Sequence, residues 1–179
     1  MVTLKALVDY TDKLLSAGQF NDYCPNGLQV EGRPEVQRLV SGVTASLELL
    51  EAAIAADADA VLVHHGYFWK GEDARVTGMK RRRLQCLLGS GTSLLAYHLP
   101  LDAHPELGNN AQLARVLGFH PAGCFGDDGG MQLAQYGELS PPVSGQALAR
   151  QLEAQLGRVP LHLPGRETLI QRVGWCTGA

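Results

Sequence analysis

No uninterrupted apolar run in this 179-residue chain approaches the ~18 residues that a membrane-spanning helix needs. The amino-terminal stretch Met1-Val-Thr-Leu-Lys-Ala-Leu-Val-Asp carries charge among its apolar residues and lacks a secretion-signal layout. A cytoplasmic location is therefore expected. Charged residues make up 18% of the chain and the net charge is −3, so no basic excess draws it to nucleic acid or anionic membrane. The cysteines, Cys24, Cys86, Cys124 and Cys176, include no C-x-x-C pair, which argues against a zinc ribbon or a dithiol redox motif. Spaced singly, they read as small apolar residues. Also missing are the Gly-x-Ser-x-Gly elbow, the P-loop and the Gly-x-Gly-x-x-Gly turn. What is present is a globular composition, 45% hydrophobic, long enough for one ordinary domain or two small ones.

Against that background one stretch stands out: Asp59-Ala-Val-Leu-Val-His64-His65-Gly66. Its β-branched run reads as a short buried strand. Neighbouring side chains on a strand point to opposite faces, so two histidines within it would face different layers. At the strand's end both can turn toward the crevice beyond the carboxyl edge of an α/β sheet, where ligands bind. Two readings stand: hydrogen-bonded core or turn histidines, or metal ligands.

Around this stretch the chain alternates strands and helices. Leu4, Leu7, Val8, Thr11, Leu14 and Leu15 share one face of a helix over 3–16, ended by Gly18. Asn21 to Gly32 is a loop by its Pro-Asn-Gly chemistry, and its amides and carboxylates either line a site or cap a turn. Residues 38–45 predict a strand, and Ser46 caps a helix over 47–57 before the strand at 60–64. That spacing is a βαβ crossover with parallel strands. Tyr67-Phe-Trp69 offers aromatics for packing or for a pocket wall. Lys80-Arg-Arg-Arg83 opens a helix whose charges are a solvated face or a phosphate contact. A strand at 93–97 leads to His98-Leu-Pro-Leu-Asp102, where Pro100 should prevent continuation as helix or central strand. A helix follows Gly108-Asn-Asn110. From about 120 the sequence turns rich in Gly, Pro and Asp, with turns at 120–130 and a strand over 131–139 broken by Pro141-Pro142. A helix over 145–156 and strands over 159–163 and 169–176 follow.

Two successive strands thus deliver His64, His65, His98 and Asp102 to one end of a sheet. Imidazole with carboxylate suits zinc, iron, manganese or nickel rather than calcium or magnesium. His104, His120 and His162 flank prolines and are left out of the site.

Asn26-Gly-Leu-Gln-Val30, Leu62-Val-His-His-Gly-Tyr-Phe-Trp69, Lys80–Arg83, His98-Leu-Pro-Leu-Asp102 and Gly108-Asn-Asn-Ala-Gln-Leu-Ala114 occur in an order and spacing that resemble the Nif-three-like family. Its members are also labelled GTP cyclohydrolase 1 type 2 homologues or dinuclear metal-centre proteins. The resemblance implies an α/β fold of two similar lobes with mixed, largely parallel sheets flanked by helices, and a metal site in the cleft between them. With the compositional change it places one lobe at 1–122 and part of a second at 123–179. It implies two divalent transition-metal ions, with His64 and His65 as ligands, one for each ion, Asp102 as a third, and His98 beside them as a proton-transfer group. It implies a homohexameric ring and hydrolytic opening of a nucleotide-like ring. The family completes its site with a His-x-x-x-Glu pair that this sequence lacks, since His162 precedes Arg166 and His120 precedes Cys124 at that step. The chain therefore reads as carboxyl-terminally truncated. A metal-dependent hydrolase ranks first, a metal-binding ring without turnover second, and a ring encircling nucleic acid last.

Overall fold

The computed structural model describes residues 1–126, 132–165 and 168–177, in two compact units, Met1–Leu101 and Asp102–Ala179. In the first, β1 (Val2–Thr3) leads into α1 (Leu4–Leu14), capped by the Thr3 hydroxyl, which accepts from the Ala6 amide at 3.2 Å. A 3₁₀ turn (Ala17–Gln19) and a loop precede β2 (Gly27–Val30), and β3 (Glu35–Val36) pairs with β1. Then come β4 (Leu39–Thr44), α2 (Leu47–Ala55), β5 (Ala60–His65), α3 (Gly78–Ser90) and β6 (Ser93–Ala96), and the division between the units falls within the short α4 (Leu99–Ala103). The main sheet runs β2-β6-β5-β4, with β4, β5 and β6 parallel and β2 antiparallel at the edge. Ser46 caps α2 through the Leu49 amide at 3.2 Å, so the crossover at 39–65 forms as its sequence predicts.

The two faces of this sheet follow the period of two. Val61, Val63, Leu94 and Ala96 pack with Leu50 and Ala53 of α2 and Leu87 of α3. Ala60, Leu95 and Tyr97 pack with Leu4 of α1, Leu15 and Ala17. A sheet buried on both faces needs apolar residues without alternation, which is why 60–63 is a continuous apolar run.

The second unit holds α5 (Asn109–Leu117), β7 (His120–Phe125), β8 (Ala134–Val143), α6 (Gly145–Leu156) and β9 (Ile170–Trp175). Its sheet is antiparallel, ordered β7-β8-β9. Ala114 and Leu117 of α5 pack with Phe119, Leu139 and Trp175, with Leu148 and Leu152 of α6 against them. Because α5 shares that core, the division falls at 101/102 and not at 122. Ser144 caps α6 through the Ala147 amide, and Gly157 closes it at φ 65°. Among the described residues no helix is long and apolar enough to cross a membrane.

Several elements differ from expectation. Pro100 lies in the first turn of α4, where its missing N–H is not required. His120–Phe125 is a strand in spite of Pro121, because β7 is an edge and its register shifts between Pro121 and Gly123. β8 runs through Pro141-Pro142; pairing with β7 ends at Glu138, and the β9 register shifts between Glu138 and Val143, so neither proline owes a ladder bond. Residues 159–163 form no strand; Val159, Leu161 and Leu163 are exposed. Cys124 and Cys176 are exposed thiols, whereas Cys24 is buried as expected. The predicted turn at 127–130, Met131, and Gly178-Ala179 lie outside the described residues.

Asn110, with no exposure, organises the second unit. Its Nδ2 donates to the Leu133 carbonyl at 2.9 Å and the Asp102 carbonyl at 3.4 Å. Its Oδ1 accepts from the Thr177 amide at 2.7 Å, and its carbonyl from Trp175 Nε1 at 3.0 Å. Asn110→Ala leaves buried carbonyl and amide groups unpaired. Urea unfolding followed by tryptophan emission should show a loss of about 3 kcal/mol; a midpoint matching wild type would refute this role.

Candidate metal centre

His64 and His65 are the last two residues of β5, so strict alternation would separate their rings. Instead the ring centroids lie 4.4 Å apart. The reason is local. β6 accompanies β5 only to the Val63–Ala96 pair, after which its chain leaves the sheet. Each imidazole is anchored through Nδ1. His64 Nδ1 donates to the Tyr97 carbonyl at 3.1 Å, and His65 Nδ1 lies 3.1 Å from Thr44 Oγ1 on β4. A carbonyl only accepts, so the His64 proton sits on Nδ1 and the lone pair on Nε2. Tyr97 is itself tied to α1, its hydroxyl donating to Asp12 Oδ1 at 2.6 Å.

His98 completes the group, its ring 5.0 Å from His64 and 5.7 Å from His65. One ligand atom from each of the three histidines lies within 4.8 Å of the others. Trp69 packs edge-on against His98 at 5.0 Å and lies 6.1 Å from His65.

The loop at 21–26 supplies what holds His98. Asp22 Oδ1 accepts from His98 Nδ1 at 2.8 Å, and its Oδ2 accepts from the Leu99 amide and from Asn26 Nδ2, both at 2.9 Å. Asn26 Oδ1 in turn accepts the His98 amide at 2.7 Å. Burial pushes the Asp22 carboxyl up, but the bonds from His98, Asn26 and the Leu99 and Tyr23 amides outweigh it and hold the pKa below the usual range. The two readings of this loop, site lining and capped turn, are thus the same hydrogen bonds. Asp22 was not among the sequence candidates; only the loop's density of amides and carboxylates pointed to it.

The three-histidine cluster fits a transition-metal ion. Its donors are imidazoles, and ring nitrogens are fixed by carbonyl, hydroxyl and carboxylate partners, as in metal sites generally. Asp22, Cys24 and His98 also lie close together, but fit an ion poorly. The Asp22 oxygens are already filled, and burial, with the Asp22 charge, raises the Cys24 thiol to about 11, so it stays protonated.

The other sequence candidates are placed as follows. Asp102 belongs to the second unit, buried, with Oδ1 accepting from Asn109 Nδ2 at 2.8 Å and Thr177 Oγ1 at 3.2 Å. Tyr67 is core, its hydroxyl donating to the Ala45 carbonyl at 2.7 Å. Phe68 takes a left-handed φ of 65°, uncommon for an aromatic residue. Of the three aromatics, only Trp69 stacks beside the histidines. The basic run lies on α3: Lys80 pairs with Glu72 at 3.5 Å, and the Arg83 guanidinium lies over the Tyr67 ring. His104 Nδ1 accepts from the Glu106 and Leu107 amides, a turn-capping role.

The architecture and this cluster define an α/β protein with a candidate metal site at the carboxyl end of β5, in the parallel part of a mixed sheet. The chain belongs to the Duf34/NIF3 (NGG1p interacting factor 3) family, whose model matches residues 2–179. A Pseudomonas aeruginosa protein described as a GTP cyclohydrolase 1 type 2 homolog is 55% identical over 177 residues, covering 99% of this chain and 70% of its own length. An Escherichia coli K12 protein of the same description is 54% identical over 166 residues, covering 92% and 65%. The chain thus spans about two-thirds of the length of the curated relatives it matches. Among solved structures it is similar to protein ybgI, of unknown function, with TM-score 0.92 and 51% identity over 99% of this chain and 70% of that one. It is also similar to TTHA1606 from Thermus thermophilus, with TM-score 0.74 and 35% identity over 94% and 69%.

Proposed function

We propose that this protein is a metal-dependent hydrolase acting on a nucleotide-type ring, in line with the label its relatives carry. The observation behind this reading is the convergence of His64, His65 and His98 with their ligand atoms within 4.8 Å. His64 and His65 are the ligands for two divalent transition-metal ions, zinc, iron, manganese or nickel, with Asp102 as the third, on the strength of the family resemblance. When bound, such an ion supplies Lewis acidity, bringing the pKa of a coordinated water to about 7. His98 is the proton-transfer group. With Nδ1 committed to Asp22, its Nε2 takes a proton from the attacking water and returns it to the leaving nitrogen. Trp69 shields that imidazole on its edge-packed side. The family resemblance also assigns the chain to a homohexameric ring.

A second reading is a ring-forming metal-binding scaffold without turnover, supported by the same three-histidine cluster, which can hold a metal ion whether or not it turns over a substrate. The two separate in one assay. The 179-residue chain loaded with zinc or manganese is incubated with GTP, and ring opening is followed by absorbance and chromatography. Turnover that stops with a chelator and returns with metal supports the hydrolase. Metal retained without turnover supports the scaffold and overturns the hydrolase.

A further inference from the structure

We infer that Asp22 is a positioning residue that locks His98 in its Nδ1–H tautomer, so that the imidazole brings a lone-pair Nε2 to the His64–His65 pair. The inference rests on the proposed metal site for its consequence, but not for its geometry.

Every donor around the Asp22 carboxylate is fixed. The Tyr23 amide, at 2.6 Å, and His98 Nδ1 meet Oδ1, while the Leu99 amide and Asn26 Nδ2 meet Oδ2. Asn26 cannot turn its amide over, because its Oδ1 already accepts the His98 N–H. The Asp22 side chain has no exposure, so water does not substitute for these partners. A carboxylate satisfies four donors at once; no other group at this position can. His98 must therefore donate from Nδ1, and Nε2 carries the lone pair.

Asp22→Asn turns this into a sharp prediction. The asparagine has one oxygen and one NH2. With its NH2 toward Leu99 and Asn26, it would meet two fixed donors. Turned the other way, it meets the Tyr23 amide and the His98 ring, and the ring can respond by moving its proton to Nε2. The variant thus favours the opposite tautomer, presenting N–H where a cation or a mobile proton needs a lone pair. A buried aspartate beside a catalytic histidine acts in this way in serine proteases, where its change to asparagine keeps geometry but selects the wrong tautomer.

The test is a long-range proton–nitrogen NMR spectrum of the metal-free, 15N-histidine-labelled full chain at a pH where imidazoles are neutral, with His98 assigned through His98→Gln. The expected result is an Nδ1–H pattern in wild type and an Nε2–H pattern in Asp22→Asn. Zinc titrated into the same samples should bind the Asp22→Asn variant at least about ten-fold more weakly, because an Nε2–H turned toward the His64–His65 pair repels the cation where a lone pair would face it. In the His98→Gln background the same change should add no further loss. Nε2–H in wild type, an Nδ1–H pattern surviving Asp22→Asn, or an unchanged zinc affinity beside a switched tautomer overturns the inference. The wild-type spectrum decides it alone if the variant does not fold. Failure of wild type to bind zinc overturns the proposed function instead, and leaves the tautomer result standing.

Discussion

Replacing His64 and His65 together by alanine is expected to lower zinc affinity by more than about a hundred-fold, beyond the loss that follows removal of an outer partner. Both rings sit at the end of a strand in which Ala60, Val61 and Val63 are buried and Leu62 is partly buried, so the sheet's apolar packing is held by those residues rather than by the imidazoles. The change leaves the Tyr97 carbonyl without its histidine donor and removes the partner of Thr44 Oγ1. The loss costs about 1–3 kcal/mol at the buried Tyr97 carbonyl and less at the exposed Thr44 hydroxyl. Far-UV dichroism should be unchanged while metal content, measured by elemental analysis on protein purified without chelator, falls to background. Zinc retained at the wild-type level would show that the three-imidazole cluster is not where metal binds.

Gly66→Ala is expected to be the most damaging single methyl group at the site. A Cβ there would lie 2.1 Å from Gln29 Oε1 and 2.6 Å from the Ala96 Cβ. The Gln29 amide could swing away only by giving up the Tyr67 amide, the Tyr67 carbonyl and the Pro25 carbonyl, which it binds at 2.7, 3.1 and 2.8 Å. Ala96 has no such freedom, being fully buried in β6. Overpacking and lost hydrogen bonds together predict a cost of about 3 kcal/mol, or a melting temperature lower by roughly 6–12 °C for a chain of this size. Because the glycine follows His65 directly, zinc affinity should fall with stability. Adding Gln29→Ala should recover little, since the clash with Ala96 remains. A Gly66→Ala melt coincident with wild type would show that the backbone has slack here.

Much of this is legible from residues close in sequence. The run 60–65 and its cap-and-helix predecessor at Ser46 predicted β4, α2 and β5, because burial on both faces writes an apolar run and a serine before Leu47 satisfies helix amides. The leucine steps Leu148, Leu152 and Leu156, closed by Gly157, marked α6 to the residue. The prolines misled. Pro100, Pro121 and Pro141-Pro142 break structure only where an N–H is owed, and whether one is owed depends on strand order and register.

The site divides in the same way. Adjacent histidines at a strand's end, and a second strand ending in His98, were visible as residue types at spacings that local geometry controls. The partners that give those rings a tautomer were not. Asp22 stands 76 positions from His98, Thr44 stands 21 from His65, and the Tyr97 carbonyl that holds His64 has no side-chain signature. The sequence by itself determined the strands, the helices and the imidazoles, because periodicity, capping and turn chemistry act over a few residues. Only the tertiary structure decided which nitrogen of each ring is held, because a hydrogen-bond partner is chosen by the meeting of distant segments, and many residues could have served.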